Sequence, residues 1–230
     1  MKTKSKPRFN KLFGVLIIIL TLSLAIFALD AVNILNEALE NVTNLETISL
    51  ELKVGLSEDI GGNMKMILKS HLKEEVSRLE FISPKEFAGQ IIIVDKPKDQ
   101  FVNYYPTGQA VRMPLSNAQT GNASMDISAL MDLNTSDLAN LDKERYIFEV
   151  EETTLEGILA YVISVRDSQN EVGLQKVWLN RQDKFPLYME SYDPSGRKIM
   201  TMTLSKVEKN KGLDLSELRA LPKTAIIFDM

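Results

Sequence analysis

The chain has 230 residues, 44% hydrophobic and 25% charged, which is enough for one domain with a substantial apolar core. It carries no fixed-period repeat, so a solenoid or propeller is not expected. With no cysteine and a single histidine, His71, it cannot offer a disulfide, a thiolate nucleophile, a zinc ribbon or a multi-histidine metal centre, and no metal or cofactor is expected.

The first thirty residues read apart from the rest. Lys2, Lys4, Lys6, Arg8 and Lys11 precede an uncharged aliphatic run from Leu12 to Leu29, the pattern of a membrane-targeting segment. The expected division is therefore residues 1–29 as signal peptide or N-terminal membrane anchor and 30–230 as an exported domain. Ala28 suits cleavage and Ile26 does not; the run is also long for a signal core and only just long enough to span, so both outcomes stay open. No cysteine follows it to take a lipoprotein anchor, and the positive flank stays cytoplasmic, which places the domain in the periplasm or cell envelope. Removing residues 1–28 takes five of the 27 basic residues and none of the 31 acidic ones, leaving a net charge of −9. Such a body is repelled by nucleic acid and by anionic membrane surfaces, so neither is expected as the main partner.

Along the exported part, Asp30 suits an N-cap, and Val32, Leu35, Leu39 and Val42 recur at helical spacing. The period then changes to two. Ile48, Leu50, Leu52 and Val54 alternate with polar residues; after Gly61-Gly62, Met64, Met66, Leu68 and Ser70 take one face, while Lys65, Ile67, Lys69 and His71 take the wetter one. Further strands are expected at 75–82, where EEVSRLEF also reads as one short helix, and at 90–95, 100–105 and 109–115. Residues 116–142 are rich in Asn, Ser, Ala and Asp, yet apolar at Met125, Ile127, Leu130, Met131, Leu133, Leu138 and Leu141, which predicts a helical flap over something apolar. Strands resume at 145–151 and 159–166. They continue through a meander over 174–210, whose tight turn is Asp193-Pro194-Ser195-Gly196 and whose buried face should carry Leu187, Met189, Met200, Met202 and Leu204. A short helix at 212–221 and an edge strand at 225–228 end the chain.

These elements predict a mainly β (α+β) fold: about ten short antiparallel strands curled into a half-barrel, with an N-terminal helix and a helical lid on the concave side.

The helix Asp30, Ala31, Ile34, Leu35 before a strand, the stretch QIIIVDKPKDQFVNYYPTGQAVRMPL with its Tyr-x-Pro step, and the closing meander VWLNRQDKFPLYMESYDPSGRKIMTMTLSKVEKN together resemble the LolA/LolB-like family of outer-membrane lipoprotein-sorting proteins. The resemblance covers nearly all of the exported chain. It implies a curved antiparallel half-barrel whose apolar cavity, lidded by helices, takes acyl chains. It also implies an arginine that holds the lid closed, for which Arg78 and Arg112 stand as candidates.

Nine methionines lie beyond Met1. On strand faces they either fill an irregular core or supply a soft, adaptable lining for lipid. The expected lining is Met64, Met66, Leu68, Met113, Leu187, Met189, Met200, Met202 and Leu204, with Ile127, Leu130 and Met131 in the lid. The pairs Glu74-Glu75, Glu151-Glu152 and Asp214/Glu217 read as solvated strand ends or helix turns, since no Gly-containing loop of oxygen ligands accompanies them. The functional expectation is a monomeric, non-catalytic carrier of lipoprotein acyl chains or related lipids in envelope protein transport, handing cargo between membrane-bound donor and acceptor proteins. The alternative is a membrane-anchored sensor or scaffold of the same fold that binds protein partners.

Overall fold

The computed structural model describes residues 31–57, 62–118, 145–169 and 173–230. A helix, α1, occupies residues 31–43 and is followed by β1 (Thr47–Leu56), β2 (Asn63–His71), β3 (Val76–Ser83), β4 (Ile91–Asp95), β5 (Gln100–Tyr104) and β6 (Gln109–Met113). After the four-residue helix α2 (Leu115–Ala118) come β7 (Tyr146–Leu155), β8 (Ile158–Asp167), β9 (Gly173–Asn180), β10 (Pro186–Tyr192) and β11 (Lys198–Lys209). Helix α3 (Leu215–Arg219) and strand β12 (Ile226–Asp229) complete the chain.

All twelve strands lie in one sheet, ordered β12-β6-β5-β4-β3-β2-β1-β11-β10-β9-β8-β7, and the end strands do not pair with each other. The sheet is therefore an open, curved one, as the half-barrel expectation required, with twelve strands where about ten were expected. Two hairpin meanders, β1–β6 and β7–β11, are joined by the antiparallel pairing of β1 with β11. One pairing departs from the expected antiparallel pattern: β12 runs parallel to β6, because the chain returns across the sheet through α3 before reaching that edge. The Asp193–Gly196 turn forms where the Pro-Ser-Gly sequence predicted it, with Gly196 at φ 79, a conformation glycine takes without steric cost.

The inner face, which carries α1, holds two apolar clusters. Ile48, Leu50, Leu52 and Val54 of β1 meet Met64, Met66 and Leu68 of β2, Leu79 and Phe81 of β3, and Met202 of β11. Over β7–β9, Ala31 and Ala38 of α1 are buried against Phe148, Ile163, Val165 and Leu179. The helix stripe expected from Val32, Leu35, Leu39 and Val42 is present: Val42 is buried in the first cluster, Val32 and Leu35 pack against the second, and Ala31 and Ala38, outside the expected stripe, are buried as well.

The outer face of the β3–β6 half carries a third cluster. Every residue of β4 is buried, because Ile92 and Val94 point inward while Ile91 and Ile93 are covered from outside by Leu221 and Ala225. Leu218 of α3 is fully buried, and Arg219 fixes the strap formed by α3 and the residues up to Ala225, its Nε 2.6 Å from Oδ2 of buried Asp95. Among the described residues, no helix is long and apolar enough to cross a membrane.

Candidate functional site

Period-two alternation gives the inner face its chemistry. In register, Leu52 lies between Met66 and Leu204, and Val54 between Met64 and Met202; Met202 in turn faces Met189, whose other neighbour is Val177. An unbroken apolar band thus crosses β2, β1, β11, β10 and β9. Its burial is graded. Met64, Met66, Leu68 and Met202 sit within the core, whereas Leu56, Phe101, Met189, Met200 and Leu204 pack against that core and remain half-buried. Met113, opposite Phe101, and Leu187 are half-buried too. Of the nine expected lining residues, four are therefore packed against protein and five border the part of the face that keeps some accessibility. Gln175 Nε2 donates to the Met189 thioether at 2.8 Å, which orients that side chain at the edge of the band. Ile127, Leu130 and Met131, expected in the lid, lie outside the described residues.

Arg78 and Arg112, candidates for a latching arginine, both hold the C-terminal segment. Arg78 Nη1 donates to the Ala220 carbonyl at 2.5 Å, and Arg112 Nε lies 2.7 Å from Asp229 Oδ1. His71 is less exposed than an open strand position would be; its Nδ1 accepts from the Glu74 amide at 3.4 Å and its Nε2 lies 4.0 Å from Glu46. The paired carboxylates act structurally at two places: Asp214 caps α3 by accepting from the Ser216 amide at 2.7 Å, and Glu217 pairs with Lys69 at 2.6 Å.

A cavity of about 610 Å³ opens between α1 and the β7 edge, and sequence periodicity gave no sign of it. Asn33, Ile34 and Glu37 form its helical wall; Val150, Glu152 and Tyr161 form its sheet wall, with Glu151 at its rim. Lys184, in the β9–β10 turn, closes one end, 3.8 Å from Glu37 and 5.3 Å above the Tyr161 ring. Only the packing of helix on sheet creates this cleft, which is why the linear pattern does not show it.

Around β1, β2, β10 and β11 the outer face carries cross-linked polar groups. Glu190 accepts from Tyr188 at 3.0 Å and also from Tyr192 and Lys198. Burial alone would raise its carboxyl pKa, but these donors outweigh burial and hold it below the usual range. Burial, reinforced by the Glu190 charge, pushes both tyrosines up to about 12. Glu51, hydrogen-bonded by Lys65 and Lys206, is also held low, and it bridges β2 to β11 across β1. These groups tie strands together with settled charges. Among the described residues, no three His, Cys, Asp or Glu side chains group as a metal site.

One family model, described as "Uncharacterized protein", matches residues 73–222, well over half of the chain. The chain belongs to that family. No curated protein matches the sequence. Solved structures share the fold. An uncharacterized conserved protein from Thermus thermophilus is similar at 16% identity over 86% of this chain and 98% of that one, with a TM-score of 0.59. The MucA/MucB complex of Pseudomonas aeruginosa is similar at 14% identity over 83% of this chain and 61% of that one, with a TM-score of 0.55. A LolA superfamily protein from Nitrosomonas europaea is also among the matches, at 16% identity over 83% of this chain and 97% of that one, with a TM-score of 0.35.

Proposed function

We propose that the chain is an exported, non-catalytic binding protein of the cell envelope that takes an acyl chain of a lipid or lipid-modified protein on the inner face of its open sheet. The observation that carries this reading is the graded apolar band, in which half-buried Leu56, Phe101, Met113, Met189, Met200 and Leu204 continue a fully packed core. Methionine suits such a border, since its unbranched, polarizable side chain repacks around a guest. Burying about fifteen methylenes would contribute at most about 12 kcal/mol, so a carrier must offset part of that by rearranging its own apolar contacts before cargo leaves. The cationic, apolar N-terminal segment supports export, with residues 1–29 either removed or retained as an anchor.

Native mass spectrometry of the full chain purified from membranes, together with uptake of a fluorescent fatty acid, tests the reading. Co-purified lipid and saturable uptake are expected, with Met200→Gln weakening uptake about tenfold, because a polar amide on the apolar band must lose its water when a chain binds. Lipid-free protein with no uptake would overturn it.

A second reading, a scaffold that binds protein partners, is favoured by one observation: the fold is shared with a protein whose structure is that of a complex, MucA/MucB.

A further inference from the structure

We propose that the free edge of β7 and the cleft behind it form a docking site for an extended, basic segment of a partner protein, which joins the sheet as an added strand. Among the described residues, β7 pairs with β8 along its whole ten-residue length and with nothing on its other side. A strand in that position presents a row of backbone N–H and C=O groups ready to pair with another chain.

The side chains along this edge select what can join. Ile147, Glu149 and Glu151 point to the outer face, Val150 and Glu152 to the inner one, following the alternation against β8. An added strand would set every second side chain beside Glu149 and Glu151 and the remaining ones in the cleft, against Val150 and Ile34. Glu149 is paired with Arg166 and Glu152 with Arg181, both on the β8 side, while Glu151 has no ionic partner among the described residues. The edge therefore favours basic residues on one face of the incoming strand and apolar ones on the other. The same charges argue against a second copy of this chain, because antiparallel β7-to-β7 pairing would oppose like glutamates. Backbone pairing supplies the affinity and the cleft and carboxylates the selectivity.

The test uses the full chain in detergent and an end-blocked, fluorescein-labelled decapeptide alternating lysine and valine. Two control peptides accompany it, one with glutamate in place of lysine and one N-methylated at alternate amides. The expected result is saturable binding of the lysine peptide, about tenfold weaker binding of the glutamate peptide, and loss of binding on N-methylation, with hydrogen exchange of the β7 amides slowed by the bound peptide. The double variant Glu149→Gln/Glu151→Gln should weaken binding about tenfold with an unchanged circular dichroism spectrum. Equal binding of the N-methylated peptide, unchanged exchange in β7, or a dimer formed through β7 in sedimentation would each overturn the proposal. Fatty-acid uptake reads a different surface, so failure of either result leaves the other standing.

Discussion

Asp193 shows how much one side chain can decide locally. Its carboxylate accepts from the Ser195 hydroxyl at 2.6 Å and from the backbone amides of Ser195 and Arg197 at 2.9 and 3.0 Å, closing the turn between β10 and β11. The Ser195 hydroxyl first, and then the Arg197 amide, hold its pKa at about 2, below the ordinary 3.8. A carboxylate lowered on folding contributes stability that is present above pH 3.8 and lost as pH falls through 2. Asp193→Asn should therefore melt at lower temperature than the parent at pH 7, and the gap should narrow as pH is lowered towards 2. A gap constant across that range would contradict the assignment. This turn was legible from the sequence because Asp-Pro-Ser-Gly contains its own chemistry. The anchoring pair Asp95–Arg219 was not, since its partners stand far apart in the chain and meet only after the strap has crossed the sheet.

Among the elements, strands that alternate apolar and polar residues could be read directly: β1 and β2 bury the apolar face their sequences predict, whereas on β10 Leu187 and Met189 stay half-buried and the buried residue is Glu190 on the opposite face. Strand β4 could be recognised as a short apolar run, but its two-sided burial depends on α3 and the residues after it, which no local pattern reveals. Likewise Ala31 and Ala38 escape a search for large apolar residues, although α1 buries both against its sheet. The strap makes a specific demand on Leu218, which is fully buried in a helix of only five residues. Leu218→Ala should cost about 2–4 kcal/mol in denaturant unfolding. It should also raise hydrogen exchange in β4 and α3 more than in β8. Equal effects on both halves would mean that the strap is not a distinct stabilising layer.

In the whole molecule the inner face was the part of the site most open to sequence reasoning, because methionine and leucine recur on it at period two. The cleft between α1 and β7 was hidden, as it belongs to neither element alone. The pairing of β1 with β11 is also a property of the whole. Gly55 faces Thr201 there, and a Cβ on Gly55 would stand 2.6 Å from the Thr201 hydroxyl and 3.0 Å from Asn63 Oδ1. Gly55→Ala should destabilise the protein by about 1–3 kcal/mol. Adding Thr201→Ala should recover most of that loss, since it removes the nearest clashing atom; no recovery would place the strain elsewhere.

That same pairing has a consequence for how the chain acquires its shape. Within each meander every ladder joins strands that are neighbours in sequence, so each can be built from local hairpins. The ladder that unites them brings together residues about 150 positions apart, such as Leu52 and Leu204, and its loop can close only after much of the chain exists. Two half-sheets should therefore precede one. During synthesis the first of them would wait with its β1 edge, Leu52 and Val54 included, unpaired, which makes the interval before β11 arrives the chain's moment of greatest exposure to aggregation.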